Sequence, residues 1–202
     1  MQKTVLLSLL LIVSIVVSAC SNYSFKAETS YKIDDFTATN QDGEQVSLDD
    51  LKGKPWLAMF VFTNCTSICS PMTYNMTEVQ EKLIEQGVED YNIVAFSVDP
   101  ERDSPQVLQD YFSFYEAPDS SKWQFLTGYD QTFIEQFALK SFKTVVKMPK
   151  DSDQVIHANT FYLVDEQGIA VKNYSGYSAE DGGVPIDTIA IDLKTLIKDR
   201  LN

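Results

Sequence analysis

Two cysteines and one histidine are the side chains in this sequence best suited to chemistry. Cys65 and Cys69 enclose the tripeptide Thr-Ser-Ile, and His157 is the only imidazole in 202 residues. Thiols four residues apart can point the same way from one turn of a helix. Thiolates favour Cu(I) and zinc, and imidazole suits copper and zinc as well. The three residues therefore indicate a small metal or redox site.

The N-terminus has the features of a secretory signal. Lys3 precedes an apolar run from Val5 to Val17, and small residues follow before Cys20. The run is short for a membrane span, which needs about 20 apolar residues. The ending Val-Ser-Ala-Cys resembles a bacterial lipobox, which implies cleavage before Cys20 and lipidation of its thiol. The alternative is an uncleaved anchor helix.

These features predict three segments. Residues 1–19 form a lipoprotein signal peptide, residues 20–30 a lipid-anchored tether, and residues 31–202 one folded domain. We expect that domain to lie on the extracytoplasmic face of the cell membrane, held there by the lipid on Cys20. If lipid consumes Cys20, then Cys65 and Cys69 must form a disulfide together, hold a metal, or be kept reduced.

Charge narrows the range of partners. The signal contains a single charged residue, Lys3, so its removal takes the net charge from −13 to −14 and the length from 202 to 183 residues. A strongly acidic chain is repelled by nucleic acid and by anionic lipid, and we expect no nucleic-acid partner. The charge suits a cationic cargo or a basic partner, although a merely soluble acidic surface explains it equally well.

The cysteine pair follows a strand predicted to be buried on both faces. Residues 56–62 are apolar without alternation, which is typical of a central strand. Apolar residues with helical spacing follow at Met72, Met76, Val79 and Leu83, and residues 92–98 form the next apolar run. This order predicts a βαβ unit whose first strand-to-helix turn carries both cysteines. Sites in open α/β sheets lie beyond the carboxyl ends of such strands.

The remaining pattern predicts an α/β, thioredoxin-like fold with an added N-terminal β-hairpin. The hairpin pairs residues 33–37 with 45–48. Strands are also predicted at residues 123–126, 142–146, 160–164 and 169–174, and helices after Asp103 or Ser104, after Asp130, and from Asp187 to Arg200. Residues 148–154 are expected to form a loop.

A functional role explains the cysteine pair better than a structural one. A disulfide closing a five-residue loop stabilises little through chain entropy. Thiols at a helix N-terminus have a depressed pKa, which favours the reactive thiolate. His157 lies just before the strand at 160–164, and in this fold the start of that strand lies beside the cysteine turn. We therefore expect His157 to complete the site.

Three ordered motifs resemble the Sco (SenC) family of copper chaperones. They are the segment 60–72, which contains both cysteines, the segment 97–105 (Ser-Val-Asp-Pro-Glu-Arg-Asp-Ser-Pro), and His157 followed by the segment 161–168. The resemblance covers essentially all of residues 31–202. It implies a membrane-tethered monomer that binds a copper ion, Cu(I) or Cu(II), through Cys65, Cys69 and His157. Its implied partner is the copper-bearing subunit of cytochrome c oxidase, whose binuclear copper site it helps to assemble without acting as a turnover enzyme.

The sequence departs from the family pattern at three positions. The family often has Pro after each Cys, where this chain has Thr66 and Ser70, and it often has Asp before the His, where this chain has Ile156. The ligands themselves are intact. The departures bear on the rigidity of the cysteine turn and on the acceptor that orients His157.

Three rival functions use the same residues differently. A thiol-disulfide reductase could keep the cysteines of an oxidase copper site reduced. Against a general reductase, three residues separate Cys65 from Cys69, and no Pro directly precedes Thr160. A peroxiredoxin-like peroxidase lacks its usual Pro-rich, Thr-containing loop before Cys65. A structural lipoprotein would leave the three motifs unexplained.

Other candidate ligands have plainer interpretations. Asp99, at the end of the second strand, is read as a turn residue before Pro100 in preference to a supporting group of the site. Met72 and Met76 share their helical spacing with Val79 and Leu83, which predicts core packing.

Overall fold

The computed structural model describes residues 23–179 and 183–200. The predicted signal peptide and Cys20 lie outside the described residues. Within them, no helix combines the length and apolar character that crossing a membrane would require.

A six-stranded mixed sheet forms the centre of the fold, in the order β1-β8-β7-β4-β5-β6. Its parallel strands are β4 (Trp56–Val61), β5 (Asn92–Ser97) and β6 (Trp123–Leu126), and β7 (Thr160–Val164) runs antiparallel to β4. β8 (Ile169–Ser175) and the short β1 (Tyr31–Lys32) complete it. All six residues of β4 are buried, which confirms the central strand predicted from its unbroken apolar run.

The N-terminal hairpin forms a separate two-stranded sheet of β2 (Thr37–Thr39) and β3 (Gln45–Ser47). Asn40 makes the turn, because its side-chain oxygen accepts hydrogen bonds from the backbone N–H groups of residues 42 and 44. The hairpin is therefore present, with its first strand later than the predicted 33–37. Leu48 begins the short helix α1 (Leu48–Leu51), which Ser47 caps.

Four longer helices cover the sheet: α2 (Cys69–Glu85), α3 (Pro105–Ser113), α4 (Gln131–Phe142) and α5 (Ile186–Arg200). Ser104 caps α3 and Asp130 caps α4, each accepting the backbone N–H three residues on. Between α3 and β6 lies a single 3₁₀ turn, Ser120–Lys122. The order β4-α2-β5 followed later by β7-β8-α5 is thioredoxin-like, as predicted.

Two apolar cores lie on the two faces of the sheet. Trp56, Ala58 and Phe60 of β4 pack in one core, with the hairpin and α4. The alternate residues of β4 pack in the other core with α2 and α5. Met72 and Met76 are fully buried there, so their helical spacing does report core packing.

The strand predicted at residues 142–146 is wrong. α4 continues through Phe142, and Lys143 then adopts the left-handed conformation (φ 54°) that ends it. The N–H of Thr144 bonds back to the carbonyl of Ala138. The valines at 145 and 146 favour a strand, but the left-handed helix cap at Lys143, two residues before Val145, redirects the backbone and leaves both valines outside any strand.

Residues 23–30, predicted as a polar tether, are bound to the domain. The backbone N–H groups of Glu28 and Thr29 donate to the carbonyl of Val171. The Tyr23 hydroxyl donates to Asp192, which is fully buried and also accepts from Tyr174 and Lys172. The described chain is thus attached to β8 and α5 from its first residues.

Candidate metal centre

The two cysteines lie at the carboxyl end of β4, in the predicted strand-to-helix turn. The backbone N–H of Cys65 donates to the carbonyl of Phe62 (3.3 Å), and Cys69 is the first residue of α2. The N–H of Cys69 points at the Cys65 sulfur (3.4 Å). The two thiols therefore converge across the N-terminus of α2, with Cys65 ahead of the helix instead of on its first turn.

The two thiols are free but not equivalent. Cys65 is half-buried, whereas Cys69 is 1% exposed. Hydrogen bonds from the Cys69 thiol and from the backbone N–H groups of Ser67 and Cys69 lower the pKa of Cys65 to about 3, against the opposing effect of burial. Hydrogen bonding to Cys65, followed by burial, raises the pKa of Cys69 far above its ordinary value. The pair therefore holds one thiolate, Cys65, and one thiol, Cys69.

This asymmetry predicts selective alkylation of the reduced protein. Iodoacetamide should modify Cys65 first, at a rate that changes little between pH 5 and 8, because its pKa lies below that range. Cys69 should react at least about tenfold more slowly, since it is buried and protonated. Mass spectrometry of the digested protein assigns each site, and the urea-unfolded protein is the control. A Cys65 rate that rises tenfold per pH unit would contradict the assignment.

His157 reaches the cysteines from the segment that leads into β7, the strand next to β4 in the sheet. Its Nε2 lies 3.5 Å from the Cys69 sulfur, and its Nδ1 lies 3.0 Å from the carbonyl oxygen of Ala158. A carbonyl can only accept, so Nδ1 carries a proton and Nε2 is the nitrogen that faces the thiols. The Phe62 ring packs edge-on against the imidazole, with centroids 5.8 Å apart. Ala158 thus supplies the orienting acceptor that the sequence did not identify.

The donor set suits a soft metal ion. Two sulfurs and one imidazole nitrogen match the ligand preferences of copper. In the arrangement described, these donors hydrogen-bond to one another, and within residues 23–179 and 183–200 no group of three or more His, Cys, Asp and Glu side chains forms a closed metal site. Because Cys65 is already a thiolate, ligation by both sulfurs requires the release of one proton, from Cys69.

The buried carboxylate of Asp103 hydrogen-bonds to the segment that leads into the cysteine turn. Asp103 is fully buried and accepts hydrogen bonds from the hydroxyls of Thr63 and Ser97, each at 2.6 Å. Burial raises the pKa of Asp103, while these hydrogen bonds oppose that effect. Asp103 thus joins Thr63, which follows β4 and lies two residues before Cys65, to Ser97 at the end of β5. Its sequence position suggested only a helix cap, a role that Ser104 takes.

Asp99 belongs to the turn after β5. It is buried, its backbone carbonyl accepts the N–H of Asp103, and its carboxylate pairs with Arg102 at 2.7 Å. These contacts agree with its interpretation as a turn residue.

Gln154 is a further residue at the site, and no sequence motif marks it. Its side chain reaches the backbone on both sides of Cys65, bonding to Asn64 and Thr66. The one available signal was the replacement of Pro by Thr66, which leaves a backbone N–H in need of an acceptor.

Comparison with known proteins places this geometry in a family. The sequence profile of the SCO1/SenC family matches residues 25–194. The SCO1 protein homolog of Bacillus subtilis is 47% identical over 177 residues, which span 88% of this chain and 89% of that protein.

Solved structures agree. BsSco, a member of the Sco family of cytochrome c oxidase assembly proteins in which a disulfide switch was identified, is 46% identical, with a TM-score of 0.76 over 86% of this chain and 98% of its own. Bradyrhizobium japonicum ScoI, solved with copper bound, is 28% identical, with a TM-score of 0.64 over 80% and 96%. The profile, the sequence identity and the shared thioredoxin-like fold together show that this chain belongs to the SCO1/SenC family.

Proposed function

We propose that this protein is a copper chaperone that helps to assemble the binuclear copper site of cytochrome c oxidase. The observation that carries the proposal is the convergence of the Cys65 and Cys69 sulfurs and the His157 Nε2 at one end of the sheet. Copper bound to a homologous ScoI and the oxidase-assembly role of BsSco support it.

The three ligands would contribute differently to copper transfer. Cys65 offers a half-exposed thiolate, which is the group that an acceptor thiol would approach first. Cys69 is buried and recovers its proton most readily when copper leaves, because the pKa of its thiol is strongly raised. His157 is held in one orientation by Ala158, so its Nε2 needs no reorientation to bind or release the ion.

A thiol-disulfide reductase that keeps the oxidase cysteines reduced is the second candidate. The observation that favours it is the pair of free thiols with unequal protonation, which is the arrangement that attacks a disulfide. In that role Cys65 would attack, and Cys69 would resolve the mixed disulfide. His157 has no evident purpose in this alternative.

A deletion strain distinguishes the two functions. Without the protein, we expect oxidase activity to fall strongly and to return when copper is added to the medium in excess. Restoration by a membrane-permeable thiol reductant, with no effect of copper, would support the reductase instead. The full-length chain expressed from a plasmid is the control for both supplements.

We further propose that lipid on Cys20 holds the domain at the outer face of the cell membrane, near its oxidase partner. The Val-Ser-Ala-Cys sequence supports this anchor. Cys20→Ser should abolish labelling by a radioactive fatty acid and move most of the protein from the membrane to the soluble fraction. Ser21→Ala is the matched control. Full membrane retention without any lipid on the wild type would indicate an uncleaved helix.

A further inference from the structure

We propose that Gln154 is a positioning residue that ties the segment carrying His157 to the turn carrying Cys65, and that it slows the release of copper. The inference rests on the proposed copper-binding function. It adds a residue that ligates no metal and that holds two ligand-bearing loops together.

The Gln154 amide uses both of its ends on the cysteine turn. Its Oε1 accepts hydrogen bonds from the backbone N–H and from the hydroxyl of Thr66, both at 3.1 Å. Its Nε2 donates to the backbone carbonyl of Asn64 at 3.0 Å. Asn64 and Thr66 are the two neighbours of Cys65, so one side chain fixes the backbone on each side of this ligand.

Gln154 lies only three residues before His157, in a loop whose two ends are paired by backbone hydrogen bonds. Lys147 and Ile156 exchange two backbone hydrogen bonds, each 2.9 Å long. Val155, between Gln154 and Ile156, is buried in the core beside α4. The backbone that carries Gln154 is therefore fixed relative to His157, and the Gln154 hydrogen bonds hold the cysteine turn in place beside this ligand.

A second contact joins the same two loops. The side-chain amide of Asn64 donates to the Asp153 carboxylate at 3.1 Å, and that carboxylate has a lowered pKa, chiefly because of this hydrogen bond. Two adjacent residues, Asp153 and Gln154, thus both hydrogen-bond to the cysteine turn. The contacts are at the surface, where water competes with them, so they can open without unfolding the domain.

These contacts lead to a specific expectation for copper release. A chelating site loses its ion faster when one ligand can swing away from the others, because rebinding then competes with escape. With Gln154 bonded to the turn, His157 and Cys65 stay together. Without it, the loops separate more often, while the buried core and the thermal stability are little affected.

The experiment uses the detergent-solubilised full chain, reduced and loaded with Cu(I). Transfer to excess bathocuproine disulfonate is followed by stopped-flow absorbance. Gln154→Ala should release copper about tenfold faster than the wild type, since hydrogen bonds at two backbone sites are lost. Thr66→Val should accelerate release less, because its backbone N–H remains. Adding Thr66→Val to Gln154→Ala should have no further effect. Gln167→Ala, an exposed glutamine in the β7–β8 turn, is the matched control.

A second readout is independent of copper. In the reduced, metal-free chain, hydrogen exchange at the Thr66 amide should accelerate about tenfold in Gln154→Ala and not in Gln167→Ala, as measured by mass spectrometry on peptides covering residues 62–68. The thermal midpoint should change little. A wild-type rate of copper release in Gln154→Ala, or faster release without faster exchange at Thr66, would overturn the proposal. If the wild type takes up no copper at all, the proposed function fails first, and this inference fails with it.

Discussion

Replacing Cys65 or Cys69 with Ser should weaken Cu(I) binding more than about a hundredfold, because the loss of groups that merely orient a ligand already costs 10–100-fold. A serine hydroxyl stays protonated at neutral pH and is a hard donor, so it does not substitute for a thiolate. The measurement is an anaerobic competition titration of the reduced protein against a Cu(I) chelator, with one copper bound per wild-type chain as the reference.

The two single variants should differ in their stability. Cys69 is 1% exposed, so Cys69→Ser replaces a large sulfur with a smaller, more strongly solvated hydroxyl at a buried position and should destabilise the fold by about 1–3 kcal/mol. Cys65 is half-exposed, and Cys65→Ser should leave the free energy of unfolding nearly unchanged. Chemical denaturation measures both changes.

Met72→Leu is the matched control for these titrations. It removes a soft sulfur one turn along α2 from Cys69, at a position that is fully buried in the core. Copper affinity should stay at the wild-type value. If the double cysteine variant bound copper as tightly as the wild type, the ion would have to be held elsewhere and the assigned centre would be wrong.

His157→Ala should lower copper affinity and change the thiolate-to-copper charge-transfer spectrum, because one of three ligands is removed. The variant should still form and reduce the Cys65–Cys69 disulfide. Cells that carry His157→Ala in place of the wild type should lose most of their cytochrome c oxidase activity, and excess copper in the medium should restore it. These results would distinguish copper delivery from thiol reduction, since only delivery needs the imidazole. Copper affinity, the disulfide exchange rate and oxidase activity are the quantities to measure.

Ile156→Ala controls for damage to the segment that carries His157. Ile156 is 59% exposed and keeps its backbone hydrogen bonds to Lys147 after truncation. It should behave as the wild type in all three measurements. Wild-type copper affinity together with wild-type oxidase activity in His157→Ala would remove this residue from the site and favour the reductase.

Much of the fold could be predicted where local pattern and burial agree. The unbroken apolar run of β4, the four-three-four spacing of α2 and the caps at Ser104 and Asp130 each reflect a local rule, and each is observed. The strand at 142–146 failed because its apolar residues follow a helix end set by the left-handed Lys143. The tether assignment was based on composition, which does not reveal that Tyr23 reaches a buried Asp192.

The sequence by itself determined the types and the order of the functional residues: two thiols in a strand-to-helix turn, and one imidazole before a later strand. Only the tertiary structure decided how these groups differ. The hydrogen bond to Cys65, together with burial, keeps the proton on Cys69, the Ala158 carbonyl orients His157, and Gln154 bonds to both neighbours of Cys65. Each of these effects depends on groups brought together in space. The contact of Gln154 with Thr66, for example, joins residues 88 positions apart, which a local sequence pattern does not encode.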